Sequence, residues 1–325
     1  MPTPHQLLER FAGIKLAVLG DVICDRFIYG DVQRISPEAP VPVMRAQQEE
    51  LKAGGAANVA HNALTLGASV HLFGIVGEDS WGESLRKLLA GLGLHTEGVL
   101  PVAQRRTTLK TRLMAGSQHL LRVDEEVTES ISAEMENALL ASLRAAVPSC
   151  DALVLSDYDK GVLTPRLAVQ ATKLFRDAEK PVICDPKPAN IPRFVGVSLL
   201  TPNRQEALLA AGINRVENEQ TLEQAAAKLR EQVSSEAVMI TAGGDGIYLL
   251  AGDDFIHLPA VRAEVYDVVG AGDTVCATMA LALAAGGRYE DGARLANLAA
   301  GIVVGKLGLA TVSRDELADA LTKLG

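Results

Sequence analysis

Aromatic side chains are scarce in this sequence. They make up 4% of the 325 residues, with a single Trp. A core must therefore be filled by Ala, Val and Leu, which suits helices packed on a parallel sheet better than an aromatic-rich β-sandwich. Cysteine is also sparse: Cys24, Cys150, Cys184 and Cys276 form no CxxC pair. That excludes the usual zinc spacings and reads as buried free thiols in a reducing compartment. The six His residues show no HExxH pattern. Positive charge is in deficit, with a formal net charge of -9. A general nucleic-acid binder needs clustered Lys and Arg, so that class is excluded, whereas a small anionic ligand held by a few local donors is not. No apolar run reaches the roughly 18 residues of a membrane span, and the first 15 residues hold no apolar leader core. The expectation is a cytoplasmic protein with no membrane partner.

Two common nucleotide signatures are missing as well. The stretch GIVVGKL (301–307) superficially resembles a phosphate-binding P-loop. Its glycines are one position too close, and Leu307 stands where a magnesium-binding Ser or Thr is required. A complete GxGxxG after a strand is absent, which disfavours both a dinucleotide-dependent dehydrogenase and the protein-kinase glycine loop.

What is present is an alternation of short apolar runs with helical segments. KLAVLGD (15–21), DALVLSDY (151–158), PVICDPK (181–187), SLLTPN (198–203) and AVMIT (237–241) read as buried strands with polar residues at their carboxyl ends. Helices are expected over about 131–147, 164–178, 204–211 and 221–233, and over most of the chain beyond Gly272. This order implies an α/β fold with a doubly wound, mainly parallel sheet. Ligands bind outside the carboxyl ends of such strands, so Asp21, Asp157, Asp185, Asn203 and Thr241 are expected to face one cleft. Two segments break the pattern. Residues 27–50 contain Pro37, Pro40 and Pro42, which confine them to edge strands or arms. Residues 106–126 alternate in two halves around Ala115-Gly116-Ser117 and read as a hairpin. Together they suggest a small β-sheet lid on a single domain spanning 1–325.

The stretch VVGAGDT (268–274) admits two readings. Asp273 in the first turn of a helix is an ordinary capping carboxylate. Alternatively, the amides of Gly270, Ala271 and Gly272 hold an anion at the helix N-terminus while Asp273 acts as a general base. Neighbouring constellations favour the second. GGAANVA (54–60) places Gly54, Gly55 and Asn58 at another loop-to-helix junction. TPNRQEA (201–207) sets Asn203 and Glu206 three apart, as a helix cap or a site for hydrated magnesium near ATP phosphates. TAGGDG (241–246) is a hairpin turn or a loop over a nucleotide.

These four motifs, in this order and spacing, resemble the ribokinase-like (PfkB) carbohydrate kinases over about residues 15–313. RISPEAPVPV (34–43), LSDYDKGVL (155–163), EVYDVVGAGDTV (264–275) and AAGIVVGKLG (299–308) further resemble bacterial D-glycero-D-manno-heptose 7-phosphate kinases. The resemblance implies phosphorylation of the heptose at O1 by ATP, with magnesium and in many members a monovalent cation such as K+. It implies Asp273 as the base and Gly270, Ala271 and Gly272 as the anion hole. It places Asp21, Gly54, Gly55 and Asn58 on sugar hydroxyls, with Asp157 beside them. Asn203 and Glu206, with Asp185 added by its strand-end position, would hold magnesium. Thr241, Gly244, Gly246, Asn297 and Val303 would line the nucleotide, and Asp267 and Val269 would serve the monovalent cation. A homodimer through the lids is implied too. A substrate phosphate needs local cations. The candidates are Arg105, Arg106, Lys110 and Arg112 in the lid, with Lys160 and Lys187 after strand ends. Lys187 is alternatively a contact for ATP phosphates. The other enzyme reading is a kinase of this family for a different sugar phosphate or a nucleoside, and the non-enzyme reading is a sugar-phosphate sensor.

Overall fold

The structure, a computed structural model, describes residues 2–116, 118–261 and 264–324. In chain order the elements are α1 (Pro4–Arg10), β1 (Lys15–Gly20), β2 (Val22–Ile35), β3 (Pro42–Gly55), α2 (Ala56–Thr65), β4 (Ser69–Gly77), α3 (Ser80–Leu92) and β5 (His95–Val102). They continue with β6 (Thr108–Ala115), β7 (Gln118–Glu125), α4 (Ala133–Ala146), β8 (Ala152–Ser156), α5 (Pro165–Arg176), β9 (Val182–Asp185), β10 (Leu199–Leu200), α6 (Arg204–Ala211) and α7 (Glu219–Val233). The last are β11 (Ala237–Thr241), β12 (Ile247–Ala251), β13 (Asp254–Leu258), α8 (Ala271–Ala284), α9 (Tyr289–Val303) and α10 (Arg314–Leu324).

Nine strands form one sheet in the order β13-β12-β11-β10-β9-β8-β1-β4-β5. From β11 to β5 every pairing is parallel, and β12 and β13 add antiparallel at one edge. The mainly parallel reading therefore holds, and β13 is an element the sequence pattern did not disclose. Burial on both faces explains why the inner strands are continuous apolar runs. Alternate residues of β1 divide between the two layers: Leu16 and Val18 join the core that includes α2, α8 and α9, whereas Ala17 and Leu19 join the core under α4, α5 and α7. Ala and Gly replace aromatics where helices must approach closely. Ala56, Ala57, Ala60 and Ala63 of α2 and Ala277 and Ala280 of α8 are all fully buried in the first of these cores.

A second sheet of four strands, β3-β2-β6-β7, stands apart from the first. It contains both segments expected to form the lid. Strands β2 and β3 begin and end well beyond residues 27–50, and they pair antiparallel from Val22–Gly55 to Ile35–Pro42. The hairpin β6–β7 forms as expected. Its turn includes Ser117, which lies outside the described residues. Among the described residues no helix is long and apolar enough to cross a membrane.

Candidate active site

The chain runs outward from β1 to β4 and β5, then returns to β8 and runs the other way to β11. The reversal falls between β1 and β8, and a crevice at such a switch point is where open α/β sheets bind ligands. Asp21, Asp157, Asp185, Asn203 and Thr241 lie at or just beyond the carboxyl ends of five adjacent strands there. They do not all offer free side chains. The Asp21 carboxylate accepts the backbone N–H groups of Tyr158, Lys160 and Val162. Asp157 accepts from the N–H of Asp159 and Lys187 and from the Asn190 amide. Both carboxylates thus shape the loop after β8. Burial pushes Asp21 up to about 6 and raises Asp157 as well, against these hydrogen bonds.

Asp273 sits in the first turn of α8 and is only 3% exposed. One carboxylate oxygen accepts the Asn58 side-chain amide at 2.6 Å, and the other accepts the Tyr158 hydroxyl at 2.8 Å. Burial raises its pKa from 3.8 to about 6, and the two donors and Lys187 hold it there rather than higher. Gly270 precedes the helix at φ +81°, where a side chain would be strained and would press on Asn58. Of the three amides expected to hold an anion, one is engaged within the chain. The Ala271 amide closes a turn onto the Val268 carbonyl at 3.3 Å. The amides of Gly270, Gly272 and Asp273 meet no acceptor among the described residues, and the space beside Gly272 is open.

Several expected roles change on inspection of their contacts. Asn58, expected on a sugar hydroxyl, has its side-chain amide engaged by the Asp273 carboxylate. Gly54 leaves room for the Asp25 carboxylate, and Gly55, at φ +58°, lets β3 turn into α2 against the Asp21 carbonyl. Asn203 and Glu206 form a reciprocal capping box at the start of α6, and Glu206 also pairs with Lys187 at 2.6 Å. Val303 is buried in the core, and its neighbour Val304 lines the cleft instead. Asp267 accepts the N–H groups of Val269 and Gly308, which fixes the loop before α8.

The cleft itself has a volume of about 630 Å³, within the range of small-molecule sites. Asn203, Thr241, Gly244, Gly246 and Asn297 line it as expected, with Ala271 and Gly272 at its inner end. Its other walls are mostly Val and Ala, with Ile247, Gly243 and Gly301, which suit a flat apolar ring.

At that inner end negative charge is crowded. Burial, then Asp273 and Glu206, raise Asp185 well above the usual carboxylate range. An all-oxygen donor set with excess negative charge fits a hard divalent cation. Both Glu206 oxygens already accept hydrogen bonds, one from the Asn203 N–H and one from Lys187. Asp185, Glu206 and Asn203 are thus residues whose chemistry fits such a cation.

Of the six expected cations, four are engaged. Arg112 forms a buried ion pair with Asp25. Arg105 donates to the carbonyls of Glu129, Val127 and Lys160. Lys160 pairs with Glu126 at 2.9 Å, and Lys187 with Glu206. Lys110 and Arg106 have no ion pair among the described residues. Lys110 Nζ lies 5.3 Å from the centre of the Tyr158 ring, and Lys187 Nζ lies 5.4 Å from it. Burial pulls the Lys110 ammonium below its ordinary value, with Asp25 opposing. Tyr158, Asp25 and Lys110 thus join Asp273 in one cluster. Tyr158 and Asp25 escaped sequence reasoning. Tyr158 had one signal, its place immediately after a strand-end aspartate.

Comparison with known proteins agrees with this geometry. Residues 14–316 match the pfkB family carbohydrate kinase. The chain is 48% identical over 313 residues to the Bifunctional protein HldE of Caulobacter vibrioides, covering 96% of this chain and 64% of that protein. It is 42% identical over 308 residues to the Bifunctional protein HldE of Desulfatibacillum aliphaticivorans, covering 94% and 63%. The chain thus spans less than two thirds of these relatives. In fold it is similar to the Arabidopsis thaliana ribokinase solved with ribose and ATP, at TM-score 0.75 and 22% identity, covering 95% of this chain and 98% of that one. It is also similar to Escherichia coli phosphofructokinase-2 in complex with potassium, at TM-score 0.77 and 19% identity, covering 96% and 99%. A buried carboxylate at a helix start, beside a nucleotide-sized cleft in a ribokinase-like fold, has its explanation in this kinship: the chain belongs to the pfkB family of carbohydrate kinases.

Proposed function

We propose that this carbohydrate kinase transfers the γ-phosphoryl group of ATP to O1 of D-glycero-D-manno-heptose 7-phosphate. The observation that carries this reading is the position of Asp273: it follows Gly272, which lines the 630 Å³ cleft, and it accepts from Tyr158, whose ring faces the lid residue Lys110. Asp273 takes the O1 proton, the oxygen attacks the γ-phosphorus in line, and ADP leaves with the broken bond's electrons. The open amides of Gly270 and Gly272, at the positive end of α8, face charge that develops on the phosphoryl oxygens. Asp185, Asn203 and Glu206 would hold magnesium, which would neutralise phosphate charge. Lys187, tied to α6 beside the cleft, belongs to the ATP side. Lys110 and Arg106, on the lid side, belong to the 7-phosphate. Lids of this kind exclude water from the transfer. The lid sheet leaves β3 and β7 as edges, with Leu121 and Val123 of β7 56% and 45% exposed, which supports a homodimer that covers them. A cytoplasmic location follows from the same activity.

The direct test is a coupled ADP-release screen over sugar 7-, 6- and 1-phosphates and free sugars. Preference for the heptose 7-phosphate is the expected outcome. Preference for a hexose or a nucleoside overturns the acceptor and leaves the kinase standing. Lys110→Met should raise the KM for the phosphorylated sugar about tenfold or more, the loss of one charge-assisted contact. An unchanged KM moves the phosphate pocket elsewhere.

Proton affinity gives a further prediction. A base must be ionised, so kcat/KM should rise with pH through about 6, far above the 3.8 of an ordinary aspartate. Tyr158 donates a hydrogen bond to the ionised form, so Tyr158→Phe should move this acid limb to higher pH. Ionisation of the substrate phosphates is the same for both enzymes. Coincident limbs in the two pH profiles would remove Tyr158 from this role.

A further inference from the structure

The opposite end of the main sheet carries a cluster that phosphoryl transfer does not use. His71, near the start of β4, pairs in register with His95, the first residue of β5. Their rings stack with centroids 4.5 Å apart and planes 14° from parallel. Glu97 follows two residues later, and one ligand atom from each of the three lies within 4.8 Å of the others. The pairing slips between His71 and Phe73, where β5 carries one extra residue. Such bulges re-aim side chains at sheet edges, and β5 is the edge strand.

Neither imidazole makes a hydrogen bond with any of the described residues. Burial, and then His95, hold His71 below its ordinary pKa, which favours the neutral ring that ligates metals.

We propose that His71, His95 and Glu97 bind a borderline transition-metal ion of the zinc class. Two imidazole nitrogens and one carboxylate suit Zn2+, Ni2+ or Cu2+ and leave a fourth position open to solvent. Magnesium and calcium prefer all-oxygen sets and compete poorly here. The ion ties the edge strand β5 to β4, so its effect falls on stability. The phosphoryl-transfer site lies at the carboxyl ends of the strands, and this cluster lies near the amino ends of β4 and β5.

The test is calorimetric titration of the full chain, freed of any histidine tag, with ZnCl2 in the presence of excess Mg2+. One equivalent should bind, and the thermal midpoint should rise with free Zn2+ as binding to the folded state requires. Loss of an outer-shell partner alone costs metal sites about 10–100-fold in affinity, so His95→Ala should weaken binding at least that much. The double variant His71→Ala/His95→Ala should lose the site while kinase turnover with Mg2+ stays at the parent level, which certifies its fold. Absence of zinc binding by the parent chain overturns the proposal. Equal stoichiometry and affinity in the double variant overturn it too, because the ion then sits elsewhere, for instance at Asp185 and Glu206.

Discussion

Asp273→Asn should lower kcat by at least about 100-fold, the scale of general-base catalysis, while the protein stays folded and binds ATP. The amide cannot take a proton from O1, yet it matches the carboxylate in shape. It can still accept a hydrogen bond from Asn58 or Tyr158, so α8 keeps its place against α2. Stability should not fall. The folded-state pKa is near 6, above the ordinary 3.8, so the carboxylate favours folding most when protonated, and that advantage is lost as pH rises through about 6. Above pH 6 the buried charge opposes folding, and asparagine removes it. A coupled assay at saturating substrates and a melting curve at pH 8 check both halves. Near-normal turnover would end the assignment of Asp273 as the base. A large drop in the thermal midpoint would mean that the carboxylate is chiefly structural.

The fold was largely legible because its signals are local. Asn203 as a cap with Glu206 three residues on marks the start of α6, and Gly212 in the left-handed region marks its end. The expected helix over 204–211 matches that element at both ends. Continuous apolar runs ending in aspartate located β1, β8 and β9. The edge strand β13 was not legible, because DFIHL carries neither a full apolar run nor a clean alternation. The site was legible in its positions more than in its contacts. Asp273 and Asn58 are 215 residues apart in sequence, and nothing local in GGAANVA says whether that amide faces a sugar or a carboxylate. Its companion signal was available: Asn62 follows Asn58 by one helical turn, on the same face of α2. Asn62 accepts a hydrogen bond from Thr274, the residue after Asp273. Charge was the least legible property. Composition shows six candidate cations, but only the tertiary fold decides that Arg112 meets Asp25 and that Lys110 forms no ion pair among the described residues.

That distinction predicts opposite outcomes for two neighbouring lid substitutions. Arg112 is 7% exposed and Asp25 4%, and the pair joins β2 to β6. The guanidinium also lies 5.1 Å from the centre of the Phe27 ring. Arg112→Ala removes one partner of a buried ion pair and strands the other charge, at a cost of about 3–5 kcal/mol. The thermal midpoint should fall by roughly 2–4 °C per kcal/mol if the lid unfolds with the rest of the chain. Weaker sugar binding in that variant would follow from a disordered lid, so it says nothing about a phosphate contact. Replacing both partners by apolar groups of similar size, Asp25→Leu/Arg112→Met, should recover much of the loss, because no buried charge remains. Lys110→Met has the opposite signature. No carboxylate is left unpaired, the methionine covers the same apolar surface, and the desolvation of the ammonium is relieved, so stability should hold or rise. The effect of Lys110→Met then appears only in the KM for the phosphorylated acceptor. A stable Arg112→Ala with a raised KM, beside an inert Lys110→Met, would reverse the two assignments and make Arg112 the cation that receives the substrate.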